Sequence, residues 1–126
     1  MAHYENLVAW KECHALTLCV YRVTRDFPKV ELYGLTSQAR GAAFSAAANI
    51  AEGAAKRGAS EFRRFLDVSL GSLAELAYAL RLSHELGLLS DRDWTEVEGL
   101  RNRAGYLTWQ LYRGVAKRSR GSPQTP

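Results

Sequence analysis

Proline placement leaves almost the whole chain free to form helices. The three prolines of this 126-residue sequence are Pro28, Pro123 and Pro126, so residues 29–122 contain none. A proline inside a helix removes one backbone hydrogen bond and clashes with the preceding turn, so long proline-free stretches permit long helices. The sequence also has no alternating run rich in β-branched residues, which is the pattern of a half-buried strand. We therefore expect an all-α fold.

Start and stop signals divide the chain into four helices. We predict helices over residues 6–26, 37–55, 61–86 and 91–118. The first helix ends before Pro28. Gly53 and Gly58 are stop signals for the second helix, and Gly87 closes the third. Short connections between long helices favour antiparallel neighbours, so we predict one domain over residues 1–118, an antiparallel up-down-up-down four-helix bundle. Residues 119–126 are predicted to form a disordered tail.

The first predicted helix is apolar on two sides. At about 100° per residue, one face carries Leu7, Trp10, His14, Leu18 and Tyr21. The nearly opposite face carries Cys13, Leu16, Val20, Val23 and Phe27. One bundle core buries only one such face, so the other needs a partner. We predict that the chain forms a cyclic homo-oligomer through Leu7, Trp10, Leu18 and Tyr21. The alternative is that the loop over residues 27–35 shields this face.

The sequence holds no arrangement of side chains typical of catalysis or metal binding. Di-iron bundle proteins use Glu-x-x-His pairs on two helices, and no such pair occurs in this sequence. The histidines are far apart along the chain, at His3, His14 and His84. Cys13 and Cys19 lie at apolar helical positions, where cysteine acts as a small core hydrophobe. We therefore predict no enzyme, and no metal, cofactor or small-molecule site.

Three features of the sequence predict a cytoplasmic location. No apolar run reaches the ~18 residues of a membrane span, because Ser45 and Asn49 interrupt the best candidate, residues 42–51. Glu5 and Lys11 stand where a signal peptide needs an apolar core. Two cysteines are too few for a disulfide scaffold, which favours a reducing compartment.

Polar side chains interrupt helical stretches that are otherwise small or apolar, at Arg40, Asn49, Glu52 and Glu75. The second and third helices form a predicted hairpin centred near Arg57, so residues equidistant from that centre face each other. This places Arg40 near Glu75. By the same rule Glu52 lies near Arg63. We interpret both as ion pairs that fix the register of the hairpin. The alternative is a ligand-binding pocket, because perturbed carboxylates also occur at binding sites.

The net charge of +4 conceals an uneven distribution. Through Glu98 the chain has 11 lysines and arginines against all 13 acidic residues, whereas the remainder has six basic residues and no acidic one. Cations that meet phosphates, beside rings that stack on unpaired bases, suit an RNA surface. One side of the fourth helix has this composition, and we predict nucleic-acid binding by Arg103, Tyr106, Trp109, Arg113 and Lys117. The alternative is that the two rings form a subunit contact.

Several motifs in the middle of the chain resemble a known family. They are Phe27-Pro28, the run from Glu31 to Arg40, Ser45, Asn49-Ile50-Ala51-Glu52-Gly53, Ser60-Glu61-Phe62 and Gly71-Ser72-Leu73-Ala74-Glu75-Leu76, with Leu7-Val8-Ala9-Trp10 near the start. Over residues 7–109 the chain resembles the bacterial four-helix-bundle proteins named for 23S ribosomal-RNA intervening sequences. It also resembles the accessory proteins of diversity-generating retroelements, which act with a reverse transcriptase and its template RNA. One departure is Gly41, where the family usually has a second arginine.

The resemblance implies an antiparallel four-helix bundle, assembly into rings of five subunits, and no catalysis in the bundle itself. Combined with the basic fourth helix, it gives a working hypothesis of a non-enzymatic, homo-oligomeric scaffold or adaptor. Its partners would be further copies of the chain and an RNA or a nucleoprotein. The alternative hypothesis is a protein–protein interaction module with no role in nucleic-acid binding.

Overall fold

Four long helices make up most of the chain in the computed structural model, which describes residues 3–121 and the side chains of residues 3–119. The helices are α1 (Val8–Val23), α2 (Ser37–Ala55), α3 (Ala59–Glu85) and α4 (Asp91–Gly121). No strand occurs anywhere in residues 3–121. The predicted all-α fold with four helices is therefore confirmed.

Each helix packs on two neighbours and runs opposite to both. The packed pairs are α1 with α2, α2 with α3, α3 with α4, and α4 with α1. Near the start of α1, Glu12 forms an ion pair with Arg103 in the middle of α4. Near the end of α1, Arg22 forms an ion pair with Glu96 close to the start of α4. The order of these contacts shows that α1 and α4 are antiparallel, as neighbours are in an up-down bundle.

α2 and α3 approach each other closely because the inner face of α2 is built from the smallest side chains. Its buried residues include Ala39, Ala42, Ala43, Ala46 and Gly53. The Ser69 hydroxyl of α3 donates a hydrogen bond of 2.7 Å to the Ala46 carbonyl oxygen. A Cβ atom at Gly53 would lie 2.8 Å from Phe65 Cβ and 2.9 Å from Phe62 Cδ1. Only glycine therefore fits at this point without moving α3.

α1 is shorter than the predicted range of residues 6–26. Leu7 has an extended backbone (φ −78°, ψ 125°), which separates α1 from a 3₁₀ turn at His3–Asn6. At the other end, the Thr24 hydroxyl donates a hydrogen bond of 2.7 Å to the Val20 carbonyl oxygen. After Thr24 the backbone changes to tighter hydrogen bonds, in which the Arg25 N–H donates to the Arg22 carbonyl oxygen at 3.3 Å. The Phe27 N–H likewise donates to the Thr24 carbonyl oxygen at 3.1 Å, just ahead of Pro28. The helix accordingly ends at Val23, three residues before the predicted end.

At the end of the chain, α4 is longer than predicted. It continues to Gly121, so the prediction of a disordered tail from residue 119 is wrong for residues 119–121. The remainder of the predicted tail, residues 122–126, lies outside the described residues. The physical reason for the longer helix is local: no proline or helix-breaking pair occurs between Gly114 and Gly121.

The connection between α1 and α2 contains two short turns, a 3₁₀ turn at Lys29–Glu31 and a π turn at Leu32–Thr36. Glu31 Oε1 accepts a hydrogen bond of 3.2 Å from the Leu35 backbone N–H. Glu31 therefore satisfies a backbone donor ahead of α2. Thr36, the residue before α2, makes no capping hydrogen bond through its side chain.

Candidate nucleic-acid interface

An open cavity of about 640 Å³ lies between the start of α3 and the second half of α4. The residues that matter for its chemistry are Arg63, Trp109, Gln110, Tyr112, Arg113 and Lys117. The antiparallel packing of α3 and α4 brings Arg63 beside side chains about fifty residues further along the chain. We refer to these six residues as the α3–α4 cavity.

The aromatic part of the α3–α4 cavity is a pair of stacked rings. The centroids of Trp109 and Tyr112 are 5.5 Å apart, and the ring planes differ by 15°. Trp109 is 47% exposed, so it presents aromatic surface to solvent. Tyr112 is half-buried and packs against the hydrophobic core. A fixed inner ring beneath an accessible outer ring gives a platform on which a planar group can stack.

The electrostatics of the α3–α4 cavity are those of an anion site. Arg63, Arg113 and Lys117 contribute three positive charges, and no carboxylate lines the cavity. None of the three takes part in the ion pairs found between residues 3 and 119. Their charges are therefore available to phosphates from outside. The structure shows no acidic side chain that would have to be displaced first.

The structure places some of the predicted nucleic-acid-binding residues in the α3–α4 cavity and others outside it. Trp109, Arg113 and Lys117 line the α3–α4 cavity. Tyr106 is 61% exposed on the same helix but does not line it. Arg103 pairs with Glu12, Nε to Oε2 at 3.1 Å, so its charge is already matched by α1. Arg103 does not line the α3–α4 cavity, and nucleic-acid binding by Arg103 stays a prediction.

Three cavity residues, Arg63, Gln110 and Tyr112, were not among the predicted binding residues. Tyr112 lies three residues after Trp109, which is the helical spacing for neighbouring side chains and the signal that could have found it. Arg63 was assigned instead to a pair with Glu52. The structure places Arg63 in the α3–α4 cavity, and no ion pair joins it to Glu52 within the described chain.

The predicted register of the α2–α3 hairpin agrees with the contacts, but the predicted pair of Arg40 with Glu75 is wrong. The Ser69 hydroxyl donates a hydrogen bond of 2.7 Å to the Ala46 carbonyl oxygen. These two residues are equidistant from the same hairpin centre as Arg40 and Glu75. Arg40 instead turns toward α1, where its Nε donates a hydrogen bond of 2.9 Å to Thr24 Oγ1. Glu75 is exposed. The position of the hairpin turn predicts which residues of the two helices lie opposite each other. It does not predict the direction in which each side chain points.

The four residues predicted to contact another subunit fall into two groups. Leu7 and Trp10 are half-buried and pack against the core, with Tyr4 edge-on to Trp10 at 4.9 Å between centroids. Leu18 is 60% exposed and Tyr21 is 47% exposed, so the loop does not shield them. Tyr21 also lines an open cavity of about 460 Å³ between α1, the following loop and α2. We call its apolar members Tyr21, Leu32, Tyr33 and Phe44 the α1–α2 groove.

The histidine, cysteine and acidic side chains of the described residues form no cluster suited to a metal ion. No group of three or more histidine, cysteine or acidic side chains close enough to hold a metal ion occurs between residues 3 and 119. Cys13 is fully buried, and burial raises the pKa of its thiol to about 11. Burial also raises the pKa of Cys19, with the charge of Glu96 as a smaller contribution. Of the helices described, none is both long and apolar enough to cross a membrane.

Comparison with known proteins gives one family. The sequence model of the family described as 23S rRNA-intervening sequence protein matches residues 5–108. This range includes α1, α2, α3 and the first part of α4, and it ends just before Trp109. No curated protein matches the chain. The resemblance to accessory proteins of diversity-generating retroelements stays a prediction.

Proposed function

This chain belongs to the family of 23S rRNA-intervening sequence proteins, and on that premise we propose that it is a non-enzymatic, homo-oligomeric scaffold that binds RNA through the α3–α4 cavity. The observation that carries the proposal is the composition of this cavity. Three cations without carboxylates surround an accessible, stacked pair of aromatic rings. The family match ends at residue 108, so the cavity residues of α4 are features of this chain beyond the matched range.

The contacts expected with RNA follow from the two chemistries in the cavity. Arg63, Arg113 and Lys117 would meet backbone phosphates, and the counterions released from the RNA would favour binding at low salt. The exposed face of Trp109 would stack on an unpaired base. Bases in an RNA duplex are already stacked, so this arrangement favours single strands over duplexes.

Assembly would strengthen the binding of a long RNA. The exposed Leu18 and the α1–α2 groove form an apolar surface on the side of the subunit away from α3 and α4. Covering this surface with another copy of the chain would remove it from water. A ring of five subunits, the number that the resemblance implies, would carry a charge of about +20. Several cavities on one assembly would act together on one RNA strand.

A second candidate function is a protein–protein interaction module with no role in nucleic-acid binding. The observation that favours it is the same α1–α2 groove, in which Tyr33 is 91% exposed and Phe44 is 62% exposed. Exposed aromatic side chains in a concave surface are typical of interaction sites. In this case the partner would be a different protein, and the basic cavity would be a solvated surface.

The RNA proposal is tested by measuring the affinity for a short, fluorescently labelled single-stranded RNA across a salt series. We expect affinity to fall steeply with salt and the Arg113→Gln/Lys117→Gln variant to bind more weakly. The slope of log affinity against log salt should decrease by about 1.4, because each lost contact with single-stranded nucleic acid contributes about 0.7. The Trp109→Ala variant should lose about tenfold in affinity with little change in slope, because stacking is not ionic.

The matched control is Arg81→Gln/Arg92→Gln, which removes the same charge far from the α3–α4 cavity. Arg81 pairs with the exposed Glu85 at 2.8 Å, so its loss affects the fold little. Equal slopes for the two double variants would show that binding depends on net charge alone and would contradict the cavity as the RNA site. Absence of salt-dependent binding by the wild-type chain would favour the protein-interaction module.

A further inference from the structure

A second basic cavity lies at the opposite end of the bundle from the α3–α4 cavity. It is open, has a volume of about 330 Å³, and is formed by the end of α1, the following loop and the start of α2. Its polar lining consists of Thr24, Arg25, Lys29, Thr36 and Arg40, and Phe27 is one of its apolar residues. No carboxylate lines it. We call these five polar residues the Arg40 cavity.

Arg40 is held in place by neutral groups only. Its Nε donates a hydrogen bond of 2.9 Å to Thr24 Oγ1, and its Nη2 donates one of 3.5 Å to the Tyr21 carbonyl oxygen. The guanidinium carbon also lies 4.7 Å from the centroid of the Tyr21 ring. Arg40 is half-buried and has no ion pair among the residues that the structure describes. A positive charge in a fixed orientation, with N–H groups left over, is suited to binding an anion.

The hydroxyl of Thr24 cannot neutralise this charge or bind a ligand as a donor. It accepts from Arg40 and donates its proton to the Val20 carbonyl oxygen at 2.7 Å. Its role is therefore to orient the guanidinium. The remaining donor capacity of Arg40 lies at its Nη atoms, since Nε is already used.

Thr36 supplies a second, independent indication of a ligand. It is only 5% exposed, and its hydroxyl makes no hydrogen bond that the structure shows. Thr36 lines the Arg40 cavity where this cavity adjoins the α1–α2 groove, and both Thr36 and Arg40 border the two openings. Within the described chain no buried side-chain oxygen or nitrogen lacks a partner. The Thr36 oxygen must therefore reach the surface of a cavity, where it can donate to a bound group.

Arg25 and Lys29 add two positive charges to the lining of the same cavity. The two acids nearest to them in the sequence, Asp26 and Glu31, are not part of this lining. The net character of the cavity is strongly cationic.

We propose that the Arg40 cavity binds a phosphate group. Three cations suit a doubly charged anion better than a single carboxylate, and the hydroxyl of Thr36 adds a donor for a further oxygen. The phosphate would come from inorganic phosphate or from the 5′-phosphate of an oligonucleotide, which share the same dianionic chemistry. The proposal does not rest on RNA binding at the α3–α4 cavity, because the two cavities share no residue.

The direct test is a titration of the isotope-labelled protein with inorganic phosphate, with NaCl adjusted to hold ionic strength constant. The signals to follow are the Arg40 Nε–H and the Thr36 backbone amide. We expect both to shift with phosphate and not with acetate at the same ionic strength. The Arg40→Gln and Thr36→Val variants should each weaken phosphate binding about tenfold, since each removes a hydrogen bond to a charged group. The matched control, Arg92→Gln, removes one exposed charge elsewhere and should leave the phosphate affinity unchanged.

Two further arms identify the source of the phosphate and separate the two proposals. If a 5′-phosphorylated oligonucleotide shifts these signals and its 5′-hydroxyl counterpart does not, the ligand is an RNA or DNA end; if neither does, it is free phosphate. The Arg113→Gln/Lys117→Gln variant should retain phosphate binding even where RNA affinity is lost. Equal shifts with acetate, or wild-type phosphate affinity in both Arg40→Gln and Thr36→Val, would overturn the proposal.

Discussion

Cys13 lies at the contact between α1 and α4, and its surroundings determine its ionisation. It is fully buried, and its Sγ lies 3.6 Å from Thr108 Oγ1. Burial raises the pKa of the Cys13 thiol from 9.0 to about 11, although the hydrogen bond to Thr108 acts in the opposite direction. The Cys13 thiol therefore ionises at a lower pH in the unfolded chain than in the folded chain.

This difference predicts a loss of stability at alkaline pH. The folded state favours the neutral thiol. The contribution of Cys13 to the free energy of unfolding is therefore complete below pH 9.0 and is lost as pH rises toward 11. At pH 10 the free energy of unfolding should be lower by about 1 kcal/mol than at pH 8 through this group alone. In the Cys13→Ala variant the decrease between these pH values should be smaller by that amount. The measurement is urea unfolding at both pH values; equal decreases in the two proteins would contradict the role of Cys13.

Because Gly53 has no side chain, α2 and α3 can approach each other closely at this point. The phenylalanines of α3 occupy the space that a side chain at position 53 would need. Gly71, on α3 itself, has no atom within 4 Å of its Cβ position. The two helical glycines therefore have the same intrinsic effect on helix formation but different surroundings.

Alanine at these two positions should have opposite effects on stability. Gly53→Ala should lower the free energy of unfolding by about 1–3 kcal/mol, because the overpacking at Phe62 and Phe65 exceeds the gain in helix propensity. Gly71→Ala should raise it by up to about 1 kcal/mol, since only the propensity changes. The free energies of unfolding of both variants and of the wild-type chain can be measured by denaturant unfolding. A stabilised Gly53→Ala protein would mean that the helices separate at little cost.

The elements show what the sequence could and could not predict. The helical ranges followed from proline, glycine and apolar spacing, which act locally. The end of α1 was placed three residues too late because the backbone changes to tighter hydrogen bonds after Thr24, whereas the sequence marks only Pro28 as a stop signal. Arg40 was predicted to pair with Glu75 on α3. A helical wheel and the position of a hairpin turn carry no information about contacts with a third helix, and here that helix is α1. Arg63 was misassigned for the same reason: its surroundings are made by α4.

At the scale of the whole molecule, the exposed apolar surface of α1 and α2 predicts self-association. Light scattering at micromolar concentration should give a multiple of the 14.0 kDa subunit, about 70 kDa for a ring of five. The Leu18→Ser/Phe44→Ser variant should dissociate, because it removes apolar side chains that are 60% and 62% exposed in the subunit. The control is Tyr78→Ser on α3, which is also exposed, at 67%, and should remain assembled. A wild-type mass of 14 kDa would contradict the oligomer.

The even number of helices has a consequence for the ends of the chain. Since α1 and α4 are antiparallel, the start of α1 and the end of α4 lie at the same end of the bundle, beside the α3–α4 cavity. Both ends of the described chain therefore lie at the end of the bundle that carries the α3–α4 cavity. A label or immobilisation tag at either end would then compete with RNA for space. The turn between α3 and α4, around Gly87, faces away from this cavity and is the better place for attachment.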